Sequence, residues 1–123
     1  MESPKKIYDL EERTFEFARN TRVFVRQLEI NIWNREDIKQ VVRSSGSVAA
    51  NYIEAIEKLG DKDFLMKLRI SKKKAKETIL WLRLIEVKTD TLEEERIGLI
   101  NEAKELQNIL GAIYKKSISK KIA

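Results

Sequence analysis

A chain of 123 residues is long enough to bury one hydrophobic core and short for two, so a single domain over 1–123 is expected. With 42% hydrophobic and 37% charged residues and a net charge of +5, the composition is that of a folded protein with a densely ionic surface. Cysteine and histidine are both absent, which excludes disulfide frameworks, thiol nucleophiles, imidazole-dependent triads and metal sites built on those ligands.

The N-terminal stretch MESPKKIYDLEERTFEF holds no apolar run of secretory type, and nowhere do apolar residues continue for the roughly 20 positions of a membrane span. A cytoplasmic protein without a membrane partner is expected. The basic excess favours anionic partners and is equally an ordinary solubility device.

Apolar residues recur at helical spacing throughout, and no alternation of period two is sustained. The first helix is predicted over about 9–32, with Asp9 as N-cap and Glu12 completing a capping box. Leu10, Phe17, Phe24 and Leu28 form its main stripe, flanked by Phe15, Ala18, Val25 and Ile32. That face is wider than one bundle needs, which suggests a second surface to cover it. Trp33 reads as a staple over the turn that follows.

Asn34 is expected to cap a second helix over about 35–59, with Ile38, Val42, Ser45, Ala49, Tyr52, Ile56 and Leu59 inward at alternating steps of four and three. Gly60 and Asp61 then separate it from a third helix over about 62–88, which turns Phe64, Leu68, Ser71, Ala75, Thr78, Leu82 and Ile85 inward. Trp81 reads as an anchor with Leu80 and Leu84. Thr91 with Glu94 forms a capping box for a fourth helix over about 92–117, burying Leu92, Leu99, Ala103, Leu106, Leu110 and Ile113, with a frayed basic tail from Lys115. The connections are short, so neighbours run antiparallel: an all-α, up-down-up-down four-helix bundle.

The second helix carries the unusual run SSGSVAANYIEA, although serine, glycine and asparagine favour caps and turns over helix interiors. Gly46 and Ala50 form a small row beside Ser45 and Ala49, opposite Ser71, Ala75 and Thr78 of the third helix. Close packing of the two helices there would offset the propensity cost, about 1 kcal/mol for the glycine. Ser47, Asn51 and Glu54 lie at i, i+4 and i+7 on another face. They read either as a solvated stripe or as a structural hydrogen-bonded line at a subunit interface, reaching toward Glu77 on the third helix.

The segment from Lys67 to Lys76 holds six cations in ten residues: Lys67, Arg69, Lys72, Lys73, Lys74 and Lys76. Arg69, Lys72, Lys73 and Lys76 cluster on one helical face, whereas Lys67 and Lys74 lie to one side. The face is either simply solvated or a patch that contacts phosphate. No aromatic residue is interleaved for base stacking, so such a patch would hold backbone without reading bases. Acid–base catalysis would fall to carboxylates such as Glu54, Glu57 and Glu77, and no pocket signature accompanies them; an enzyme is not expected, and no cofactor or metal.

RSSGSVAANYIEA and DFLMKLRISKKKAKETILWLRLIE together resemble the signature segments of the bacterial four-helix-bundle proteins related to the ribosomal-RNA intervening-sequence protein. The likeness runs from about Leu10 to Glu86. Ile53 stands where relatives often carry a basic residue, and Lys74 where they carry an acid. The resemblance implies a non-enzymatic subunit that assembles as a ring-like homo-oligomer, a pentamer in the family. More distantly, a similar fold occurs in the accessory protein of diversity-generating retroelements, which binds nucleic acid and a reverse transcriptase.

Two functions are therefore expected to compete. One is a non-catalytic oligomer that binds RNA or DNA through lysine and arginine contacts to phosphate. The other is a structural or adaptor oligomer that binds a protein partner, such as a reverse transcriptase, with the charge serving solubility.

Overall fold

The amphipathic segments fold as four helices: α1, Glu2–Val25; α2, Asn34–Ile56; α3, Asp61–Leu84; and α4, Asp90–Ile122. The computed structural model describes residues 2–57 and 59–122, with side chains for 10–57 and 59–120, and among the described residues there is no strand. Each helix packs on the next, α1 also packs on α4, and among the described residues neither diagonal pair of backbones meets. Cross-helix contacts give the direction. Ser71 of α3 reaches Val48 of α2 while Lys67 reaches Glu54, and Lys72 lies over Gly111 of α4 while Arg96 reaches Leu82. All-α architecture with antiparallel α2, α3 and α4 thus follows the expected pattern.

The core is built from the inward stripes. Leu10, Phe17, Phe24 and Leu28 are buried as expected, and so are Leu68, Ala75, Leu82 and Ile85, and Leu99, Ala103, Leu106 and Leu110. Several expectations need correction. α1 is already helical at Glu2, so Asp9 does not start it, and the side chain of Asp9 lies outside the described residues. The same helix stops at Val25 instead of running to 32: Gln27 and Leu28 donate to the carbonyls three residues back, tightening the last turn. Ile32 is consequently 79% exposed and Trp33 66% exposed, so Trp33 is no staple.

On α2 the buried seam is turned by about one residue, to Val41, Ser44, Ser45, Val48, Tyr52 and Ala55. The turn brings Ser44 and Val48 against α3. Ile56 is half-exposed, and Leu59, beyond the helix end, is 94% exposed. Trp81 packs partly against the core, but Leu80 and Leu84 do not join it. α4 remains helical through Ile122, past the expected fraying point at Lys115.

Hydroxyls explain why α2 tolerates its serines. Ser71 Oγ donates to the Val48 carbonyl at 2.7 Å, and Thr78 Oγ1 lies 2.7 Å from the Lys74 carbonyl and 2.8 Å from Ser44 Oγ. Thr78 has one proton to give and the carbonyl needs it, so the Ser44 hydroxyl is the donor between the two. α2 and α3 are thus joined by buried, satisfied bonds. Gly46 has a different neighbour from the one expected: a Cβ there would stand 3.1 Å from Arg22 Nη2 of α1. That guanidinium donates to Ala18 O and Val42 O, so the missing side chain makes room for an arginine rather than for the backbone of α3.

The helix ends are set by residues next to the expected ones. Asn31 Oδ1 accepts the N–H groups of Trp33 and Asn34, at 3.0 and 2.8 Å, and does the capping assigned to Asn34. Gly60 adopts φ 148°, a conformation open to glycine and strained for other residues, and the Asp63 carboxylate reaches back to the Leu59 N–H. Thr89 Oγ1, rather than Thr91, accepts the Leu92 N–H that opens α4.

Candidate nucleic-acid interface

Along α3, burial of Leu68, Ser71, Ala75 and Thr78 leaves the cations of the Lys67–Lys76 segment to point outward. The structure then sorts the six into two groups. Lys67 Nζ lies 2.6 Å from Glu54 Oε1 of α2, and that hydrogen bond, with the carboxylate's charge, raises the lysine pKa above its usual value. Lys74 pairs with Glu77 one turn along α3 at 3.3 Å. Both are answered by acids.

Arg69, Lys72, Lys73 and Lys76 have no ion pair among the described residues. Together with Gln107 of α4 they line an open groove of about 300 Å³ between α3 and α4. Their spacing puts like charges at i, i+3 and at i, i+4, each pair disfavoured by about 0.2–0.5 kcal/mol. Among the described residues no ion pair relieves that repulsion. An anion laid in the groove would.

The groove between α1 and α4 has the opposite sign. Glu16, Glu95 and Glu102 line a cavity of about 420 Å³ over Phe17 and Leu99. Glu102 there takes a two-pronged pair from Arg13 at 2.7 and 2.9 Å, and Glu105 adds a third bond at 2.6 Å. These bonds hold the arginine firmly protonated, its pKa raised chiefly by Glu102. No lysine or arginine lines this cavity, whereas four line the α3/α4 groove.

The polar stripe of α2 is not one network within the chain. Asn51 Nδ2 donates to the Ser47 carbonyl at 2.8 Å, a bond inside its own helix. Glu54 is engaged by Lys67 and Glu77 by Lys74, so neither joins Asn51. The buried polar contacts between α2 and α3 lie instead at Ser44, Ser71 and Thr78. Of these, the inward spacing of Ser71 and Thr78 was readable, whereas Ser44 needed the true rotation of α2.

Other groove residues come from α4, far away in the chain. Past Lys72 the groove widens to about 620 Å³ and takes in Asn108, Gly111, Tyr114 and Lys115. No local motif marks these positions. They face Arg69 and Lys72 only because α3 and α4 run antiparallel, with Lys72 level with Gly111.

Fold and site together define an all-α protein whose four helices carry a basic groove between α3 and α4. The chain belongs to the 23S rRNA-intervening sequence protein family, which matches residues 5–112. It is also similar to a Bacteroides thetaiotaomicron protein of unknown function from the S23 ribosomal protein family, whose crystal structure superposes with a TM-score of 0.72. The two share 30% identity over 86% of this chain and 98% of the other. No curated protein matches the sequence. Among the described residues, no helix is long and apolar enough to cross a membrane.

Proposed function

We propose that this protein is a non-catalytic, homo-oligomeric nucleic-acid-binding protein of the cytoplasm that grips the phosphate backbone without strong sequence preference. The observation that carries the reading is the groove lined by Arg69, Lys72, Lys73 and Lys76, four cations with no ion pair among the described residues. Lysine is a flexible point charge and phosphate contacts position a strand without specifying its sequence. Repetition of the groove around an oligomer, five copies by the family resemblance, would multiply weak contacts through avidity.

Each phosphate contact releases condensed counterions, so log affinity falls with log salt by about 0.7 per contact on single strands and about 0.9 on duplex. Changing Arg69, Lys72, Lys73 and Lys76 to glutamine flattens that slope in a salt series of binding titrations. The melting temperature does not fall, because the change breaks no ion pair and relieves the repulsion among the four. Absence of binding at low salt, or an unchanged slope in the fourfold variant, overturns the proposal. The adaptor reading then takes its place, favoured by the exposed Ile32 and Trp33, which a protein partner would cover.

A further inference from the structure

Phosphate alone accounts for the cations of the α3/α4 groove but not for the rest of its lining. At the wide end, Tyr114 is half-buried against the core and contributes to the wall. Gln107 and Asn108 present carboxamides that make no hydrogen bond among the described residues. Gly111 belongs to the same lining, beneath the Lys72 side chain. A Cβ added there would stand 3.4 Å from Lys72 Cε, an ordinary contact, so packing within the chain would accept alanine. Glycine inside a helix costs about 1 kcal/mol relative to alanine, and here it leaves a low place in the same lining as Tyr114, covered by the flexible end of Lys72, which can swing away to a phosphate.

We propose that this widened section seats one unpaired base of a single-stranded nucleic acid against Tyr114, over Gly111, while Arg69, Lys72 and Lys115 hold the flanking phosphates. The inference rests on the phosphate-binding reading of the same groove and adds the class of strand it takes. An aromatic face accepts any base, so the seat selects single strands without selecting sequence. In a duplex the base faces are stacked on one another and turn none toward the groove. The free carboxamides can donate to and accept from a base edge at the rim.

Fluorescence-anisotropy titrations distinguish the two layers of the reading, using a labelled single-stranded oligonucleotide and an abasic strand of equal length, each across a salt series. Wild-type protein is expected to prefer the base-bearing strand by roughly 5- to 150-fold, the range of one base stacked on an aromatic ring. Gly111→Gln, which fills this place on the helix surface without changing charge, brings that ratio near one and, since it displaces at most the neighbouring Lys72, lowers the salt slope by no more than that one contact. Tyr114→Phe keeps the preference and Tyr114→Leu loses it. Equal affinity of the wild type for both strands, with a steep salt slope, overturns the base seat and leaves the phosphate reading standing. So does a preference that survives Gly111→Gln. Failure to bind either strand at low salt overturns both.

Discussion

Asn34 is buried, and its carboxamide is fully used. Its Nδ2 donates to the carbonyls of Glu29 and Glu86, and its Oδ1 accepts the Glu86 N–H at 3.1 Å, locking the α1–α2 loop to the end of α3. Asn34→Ala leaves a backbone N–H and two carbonyls without those partners and is expected to cost roughly 2–3 kcal/mol, read as a lower denaturant midpoint at unchanged slope. Asn34→Asp does not rescue it, because a carboxylate cannot donate to two carbonyls. Asn51→Ala, by contrast, removes a half-exposed bond to its own helix and is expected to cost less than about 1 kcal/mol. A larger loss at Asn51 would mean that the α2 stripe is buried between subunits.

At the scale of the element, the helix ends show how closely a pattern can be right in kind and displaced in place. Thr91 and Glu94 have capping-box spacing, yet α4 is opened two positions earlier by Thr89, whose hydroxyl accepts the Leu92 N–H at 3.1 Å. Thr89→Ala is expected to lower stability by about 1 kcal/mol and Thr91→Ala to leave it nearly unchanged. The reverse order in thermal melts would restore the box. Arg96 reinforces the same corner: it pairs with Glu93 and donates to the Leu82 carbonyl at 3.2 Å, placing a cation at the negative end of α3.

For the whole molecule, the basic α3/α4 groove and the acidic α1/α4 groove separate charge onto different sides. The wide apolar face of α1 divides likewise. Ala18 and Val25 are absorbed by the core, whereas Phe15 and Ile32 are left in solvent together with Trp33. Half of the surplus that suggested assembly is therefore used inside the subunit, and half remains to be covered. Light scattering at micromolar concentration is expected to give a multiple of the 14.4 kDa chain mass. A mass of one chain would overturn the oligomeric part of both readings.

The number of helices, most of their inward residues and the outward cluster of four cations were legible in the sequence, because helical spacing alone decides which side chains share a face. Leu68, Ser71, Ala75, Thr78 and Leu82 follow from that spacing without reference to any other helix. Three matters were decided only in the folded molecule, since each depends on how one helix is set against another. The rotation of α2 is fixed by packing against α1 and α3 at once, which buried Ser44 and released Ile56. The pairing of Lys67 with Glu54 on α2, while Arg69 and Lys72 are left free, is a choice among several acids within reach by sequence. The composition of the groove was hidden most deeply: Gln107, Gly111 and Tyr114 lie more than thirty residues from the cations they accompany, and only the antiparallel register of α3 on α4 brings them to one place.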